Sequence, residues 1–192
     1  MTDTNEKITK EISDWLGDIV ALESHVEEPM DAQLKLKHDD ASLTATFRHF
    51  HDAVRDSKQR AVNFQKDYGS TAGNPVIKAG TTLLGKAAGV IDKLRDDSAS
   101  KALRDDYTAY NHVAIAYTML YTTAVAFNDE PARSFAETGL KTYAGLVQEL
   151  NKVIPEAVVA DLKQGDHAPV IDANVVGDVR ATIDRIWSTT QA

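Results

Sequence analysis

Apolar side chains recur along most of this chain at alternating intervals of four and three residues. This spacing brings side chains back to one face of an α-helix about every two turns, so each run predicts a long helix with a single buried stripe. Four runs are long enough for such helices, over residues 3–38, 42–68, 98–127 and 131–154. Their predicted stripes are Ile8, Ile12, Trp15, Ile19, Leu22 and Val26; Leu43, Phe47, Phe50, Val54, Ser57, Ala61, Phe64 and Tyr68; Leu103, Tyr107, Tyr110, Ala114, Tyr117, Tyr121 and Ala124; and Ala136, Leu140, Tyr143, Val147, Leu150 and Ile154.

The breaks between these runs predict how the helices are connected. Residues 128–131, Asn-Asp-Glu-Pro, separate the third and fourth runs by a short turn, so these two helices are expected to be antiparallel neighbours. The segment GSTAGNP at residues 69–75 ends the second run, and a weaker, glycine-bearing helix is predicted over 76–94. The order hairpin, crossover, hairpin is typical of a four-helix bundle with one long connection.

The chain changes character at Pro155, where we expect the fourth helix to end. We therefore divide the chain into an antiparallel helical bundle over residues 1–154 and a helical C-terminal appendage over residues 155–192. The appendage is expected to pack on the bundle or on a partner subunit, because its last helix has an apolar stripe that must be buried somewhere. That stripe consists of Val175, Val176, Val179, Ile183, Ile186 and Trp187.

Charge and composition exclude several classes of function. The net charge of −8 leaves no surplus of Lys and Arg to neutralise phosphates, so we expect no nucleic-acid partner. The absence of cysteine excludes disulfides, thiolate nucleophiles and Cys-ligated metals. The polar N-terminal segment does not resemble a signal peptide, and no stretch reads as a membrane span. We therefore expect a cytoplasmic protein with no membrane partner.

Four-helix bundles of this topology often hold two metal ions between inward carboxylates and Glu-x-x-His pairs. The predicted stripes contain no Asp, Glu or His, but Glu23, His51 and Glu137 lie one position beside them. These three residues are the candidate metal ligands, for iron or manganese. We expect them instead to be interface polar groups or ion-pair partners, and we expect no cofactor, because two carboxylates and one imidazole are few donors for a dinuclear centre.

Five tyrosines are concentrated in the third and fourth runs, and they are expected to fill the core rather than to serve a redox relay or a ligand site. They are Tyr107, Tyr110, Tyr117, Tyr121 and Tyr143. The sequence contains no nucleophile paired with a base, no glycine loop for phosphate and no nucleotide-binding motif. We therefore do not predict an enzyme.

Four segments together resemble the YciE/YciF-type stress proteins of the ferritin-like superfamily, in order and in landmarks. They are DIVALESHVEEPMDAQLKL (18–36), FRHFHDAVRDSKQRAVNF (47–64), AYNHVAIAYTMLYTTAVAFND (109–129) and ARSFAETGLKTYAGLVQELNKVI (132–154). The resemblance implies a ferritin-like four-helix bundle with a helical crossover and an additional C-terminal helix. Of the metal ligands that it implies, only Glu23 fits. The other positions appear as Asp52 and Arg55, Asn111 and Ala114, and Leu140 and Lys141.

Two functions follow as hypotheses. The first is a non-catalytic ferritin-like bundle that acts through protein association, as a homodimer, in a stress-related role. The alternative is a degenerate di-metal carboxylate protein, which would be an iron or manganese oxidoreductase or storage protein. A bundle that binds an apolar ligand between its helices is a third interpretation, favoured only by the tyrosine-rich hairpin.

Overall fold

The computed structural model describes residues 2–35, 41–71, 98–164 and 168–190, and within these ranges it contains helices and no β-strand. The helices are α1 (Thr2–Gln33), α2 (Ala41–Thr71), α3 (Ala99–Phe127), α4 (Glu130–Leu162) and α5 (Val175–Thr190). The first four form a bundle and α5 packs against α4. The prediction of an all-α bundle with an additional C-terminal helix is confirmed. The helix predicted over 76–94, and with it the helical crossover, lies outside the described residues.

Each long helix packs against two others, with α1 between α2 and α3, and α4 between α3 and α2. The α1–α3 pair is antiparallel, because Gln33 contacts Asp106 near the start of α3 whereas Glu23 contacts Tyr117 further along it. Hydrogen bonds from α2 to α4 show the same antiparallel relation. As a result, α2 ends and α3 begins at opposite ends of the bundle. This is the arrangement of a four-helix bundle with one long connection.

The turn between α3 and α4 has the predicted position and chemistry. Asn128 ends α3 in the left-handed region, with φ of 55°, a conformation that Asn adopts more readily than most residues. Asp129 caps α4, and its carboxylate accepts a hydrogen bond from the backbone N–H of Ala132 at 2.9 Å. Pro131 lies in the first turn of α4, where its missing N–H costs no helical hydrogen bond.

Three helix ends were predicted wrongly. Helix α1 ends at Gln33 rather than near residue 38. Helix α4 continues through Pro155 to Leu162, so the division that we placed after residue 154 falls inside a helix. A proline interrupts one backbone hydrogen bond, but Pro155 and Ala157 are both buried, and this packing stabilises the helix beyond the interruption. Helix α2 also continues past Gly69, to Thr71.

The buried stripe of α2 is the predicted one over Leu43 to Ala61. On α1 and α3, however, several predicted positions are displaced by one residue. The buried residues of α1 are Ile12, Leu16, Ile19, Glu23, Val26, Met30 and Gln33. Glu23 therefore lies on the inner line of α1 rather than beside it, and Asp106 is likewise buried on α3. The expectation that the inner line carries no charged residue was wrong.

Helix α5 is held on α4 by a basic side chain. The Arg180 guanidinium donates to the backbone oxygen of Lys152 at 2.7 Å and pairs with Glu156 at 2.8 Å. Val175, Val176 and Ile183 of the α5 stripe are half-buried. None of the helices in the described ranges has the length and apolar content that crossing a membrane requires.

Adjacent residues of α2 provide a test of the packing. Phe50 is buried, whereas its neighbour His49 is exposed and pairs with the exposed Glu149. We expect Phe50→Ala to lower the free energy of unfolding by about 3–5 kcal/mol, because it empties a large core volume. His49→Ala should change it by less than about 0.5 kcal/mol. Urea unfolding measures both, and similar midpoints for the two variants would contradict the described orientation of α2.

Candidate functional site

The side chain of Glu23 is the most deeply buried charged group among the described residues, with 0% of its surface exposed. Helix α1 places it at the centre of the bundle, where residues from α2 and α3 reach it. The Ser57 hydroxyl donates to its Oε1 atom at 2.7 Å, and the Tyr117 hydroxyl donates to the same atom at 3.0 Å. We call Glu23, Ser57, Tyr117 and Tyr143 the carboxyl cluster.

Tyr143 of α4 completes the carboxyl cluster. The influence of its hydroxyl lowers the pKa of the Glu23 carboxyl. Among the described residues, however, neither this hydroxyl nor Oε2 of Glu23 has a partner in hydrogen-bonding geometry. Desolvation is the larger influence, and it raises the pKa of Glu23 above its ordinary value despite the hydrogen bonds. Burial also raises the pKa values of Tyr117 and Tyr143. The cluster therefore favours a neutral carboxyl among neutral phenols.

The position of Tyr117 depends on a glycine in the neighbouring helix. A Cβ atom on Gly139 of α4 would overlap the Tyr117 ring at Cε1 and Cζ. The ring therefore occupies the space that any other residue at position 139 would take. Tyr117 also packs against the Tyr143 ring, with the centroids 5.9 Å apart. This close approach directs its hydroxyl towards Glu23.

A second buried polar contact joins α1 to α3 nearer one end of the bundle. The Gln33 amide donates to Oδ1 of Asp106 at 2.8 Å, and both residues are buried. Beside them the Tyr110 hydroxyl contacts the Met30 sulfur at 3.7 Å. Sequence reasoning missed this contact, because it assigned Tyr107 rather than Asp106 to the inner stripe of α3.

The structure does not bring the three candidate metal ligands together. His51 is only 7% exposed, and its Nε2 lies 2.9 Å from Asp31 Oδ1. Glu137 is exposed and pairs with Lys141 of its own helix at 2.6 Å. Only Glu23 points into the bundle centre. The expectation that these residues are interface or ion-pair groups describes His51 and Glu137, whereas Glu23 belongs to the core.

The positions implied by the family resemblance differ from the residues that face Glu23. The residues that face Glu23 are Ser57, Tyr117 and Tyr143. The resemblance implies instead the positions of Asp52 and Arg55, Asn111 and Ala114, and Leu140 and Lys141. Of those six, Arg55, Asn111 and Lys141 are exposed and none is fully buried. Helix stripes resemble one another, so a comparison without contacts could not determine the register.

These residues do not fit a dinuclear iron or manganese centre. Such centres use carboxylates and imidazoles from all four helices, whereas the carboxyl cluster offers one carboxyl and three hydroxyls. A phenol with a raised pKa stays protonated and is a poor metal ligand. Among the described residues, no group of three or more His, Asp or Glu side chains is arranged to hold a metal ion.

No protein-family model and no curated protein matches this chain. A crystal structure of a protein from Xanthomonas campestris pv. campestris is similar to it, with a TM-score of 0.66 at 16% sequence identity. The similarity covers 81% of this chain and 97% of the Xanthomonas chain. At that identity the similarity shows a shared fold and nothing about activity.

Replacement of Glu23 by Gln tests the electrostatics of the cluster. Below the ordinary Glu pKa of 4.5 the carboxyl is neutral in both the folded and the unfolded chain. As the pH rises, Glu23 ionises first in the unfolded chain, so wild-type stability falls until Glu23 also ionises in the folded chain. The loss is about 1.4 kcal/mol for each unit by which the two pKa values differ. Glu23→Gln has no such loss. We expect its stability relative to wild type to increase from pH 4 to pH 7 in urea unfolding.

Glu137→Gln is the matched control for this pH series. Glu137 is exposed, and its hydrogen bond to Lys141 lowers its pKa, so its contribution is lost as the pH falls rather than as it rises. The two variants should therefore differ from wild type with opposite pH dependence. A Glu23→Gln difference that stays constant with pH would show that Glu23 ionises alike in the folded and unfolded chains.

Two glycines of α4 test the fit of Tyr117. We expect Gly139→Ala to lower the free energy of unfolding by about 1–3 kcal/mol, because the new methyl group displaces the Tyr117 ring. A Cβ atom on Gly145 would meet no atom of the described residues within 4 Å, so Gly145→Ala should stabilise the protein by up to about 1 kcal/mol through helix propensity alone. Thermal unfolding compares the two, and equal effects would contradict the close approach at Gly139.

Proposed function

We propose that this protein is a non-catalytic ferritin-like helical bundle that acts through protein association, as a homodimer, in a stress-related role. The non-catalytic part is supported by the bundle centre, where Glu23 accepts hydrogen bonds from Ser57 and Tyr117 and no imidazole among the described residues lies beside it. The stress-related role is supported only by the family resemblance. The association is supported by apolar side chains that the chain leaves uncovered.

The observation that carries the proposal is the incomplete burial of the α5 stripe. Helix α5 has 16 residues, a length at which an isolated helix is marginal in water. Its contact with α4 leaves Ile186 54% exposed and Trp187 46% exposed. Tryptophan is enriched in the fully buried centres of protein interfaces. A second copy packed on this stripe would cover both side chains.

A groove between α1 and α3 provides a second uncovered apolar surface. It has a volume of about 390 Å³, and Trp15, Leu22, Ile115 and Met119 supply its apolar lining. Ile115 is 59% exposed and Met119 is 43% exposed, so the groove is open to a partner. His25 and His112 also line it, which adds polar groups of the kind found at the edges of interfaces.

We expect the wild-type protein to sediment as a dimer in analytical ultracentrifugation and Ile186→Arg to sediment as a monomer, because a charge on the α5 stripe opposes its burial. Ala181→Arg is the matched control, since Ala181 is an exposed position on the opposite face of α5. It should remain a dimer.

Elemental analysis of the wild type examines the alternative function, which requires about two iron or manganese atoms per chain.

A second pair of variants locates the interface if α5 is not part of it. Met119→Arg places a charge in the α1–α3 groove, and Thr118→Arg places the same charge beside it on α3, outside the groove. A dimer lost only in Met119→Arg would assign the interface to the groove. A wild-type protein that is monomeric at all concentrations would overturn the proposed homodimer.

A further inference from the structure

The side of the bundle formed by α2 and α4 contains a cavity that the proposed association does not use. The cavity has a volume of about 360 Å³, within the range of small-molecule sites in proteins. Arg60 and Phe64 of α2 line it on one side, and Ser134, Phe135 and Thr138 of α4 line it on the other. The Tyr117 ring forms the wall between this cavity and Glu23.

Aromatic rings supply the apolar part of this lining. Phe64 and Phe135 stack with their centroids 4.3 Å apart and their planes at 2°. The Tyr117 ring lies 5.7 Å from Phe135 and is tilted by 52°. These three rings give the cavity a lining of aromatic surface, which suits a flat aromatic occupant.

Arg60 is the one charged residue among the described residues that line the cavity. Its guanidinium donates to the Thr142 hydroxyl at 3.4 Å and forms no ion pair within the described part of the chain. Two carboxylates of α4 on this side are already paired within their own helix, Glu130 with Arg133 and Glu137 with Lys141. A positive charge therefore remains available beside the aromatic rings.

One hydroxyl group of the lining already donates within the protein and is not free to donate to an occupant. The Thr138 hydroxyl already donates to the backbone oxygen of Ser134 at 2.9 Å. The guanidinium is thus the charged donor of the cavity, and its planar pair of N–H groups matches a single carboxylate. A dianion would find no second cation among the described lining residues, and a neutral ligand would leave the charge of Arg60 without a counter-ion.

We propose that the cavity between α2 and α4 binds an aromatic monocarboxylate, with its carboxylate paired to Arg60 and its ring packed against Phe64, Phe135 and Tyr117. This goes beyond association, since the cavity lies on a different side of the bundle from the α1–α3 groove and contains no residue of α5. Loss of the dimer and loss of ligand binding are therefore separate results.

Isothermal titration calorimetry of the full chain with 2-naphthoate tests the proposal, with the neutral 2-naphthamide as the comparison ligand. We expect one 2-naphthoate per chain and binding of the amide at least about tenfold weaker, because only the anion pairs with Arg60. Arg60→Gln should weaken 2-naphthoate to the same extent. Arg48→Gln, at an exposed arginine of the same helix outside the lining, should leave the affinity unchanged.

A steric variant distinguishes this cavity from other apolar surfaces. Ser134→Leu fills the cavity without removing Arg60, and it should abolish binding of 2-naphthoate. Absence of wild-type binding at millimolar 2-naphthoate would overturn the proposal, and so would equal affinities for the acid and the amide. Binding that survives both Arg60→Gln and Ser134→Leu would place the ligand elsewhere and would also overturn it.

Discussion

The Glu23 carboxyl lies where the four long helices meet. Its burial removes it from water, and the other helices must supply polar groups that offset this desolvation. Each of the other three helices contributes one hydroxyl residue to the cluster: Ser57 from α2, Tyr117 from α3 and Tyr143 from α4. A buried polar group is costly unless it is hydrogen-bonded, and sliding α2 or α3 by a turn would remove one of the two hydrogen bonds that the carboxyl accepts. The cluster therefore specifies the mutual register of the helices more than it adds to stability.

That register is also imposed by shape. Tyr117 reaches Glu23 because Gly139 leaves room for its ring, and the ring then packs between Phe135 and Tyr143. A residue larger than glycine at position 139 would displace the ring and the hydrogen bond together. Packing and hydrogen bonding thus select the same alignment of α3 with α4. A core of interchangeable apolar side chains would allow several alignments of nearly equal free energy.

The sequence predicted best those elements whose signal is local. The stripe of α2 over Leu43 to Ala61 and the turn at Asn128 follow from apolar spacing and cap chemistry, and both are confirmed. The position of Glu23 could not be predicted in the same way, because an acidic residue on an inner line breaks the apolar pattern that defines the line. Helix α4 likewise passes Pro155, since packing there outweighs the lost hydrogen bond. Such features depend on partners in other helices, which spacing along one helix does not contain.

The proposed ligand cavity and the carboxyl cluster share the Tyr117 ring, and they also share a charge. Arg60 lowers the pKa of Glu23 through its positive charge, although desolvation by burial has the larger and opposite influence. An anion paired with Arg60 would weaken the effect of the guanidinium and raise the pKa of Glu23 further. Binding of a carboxylate in the cavity would then favour protonation of Glu23, because it neutralises the positive charge of Arg60. Protonation of Glu23 would in turn favour binding, because it removes a negative charge near the bound anion. The Glu23 carboxyl has too few neighbouring ligand groups to hold a metal ion. Its protonation can nevertheless be linked to the binding of a ligand in the cavity between α2 and α4.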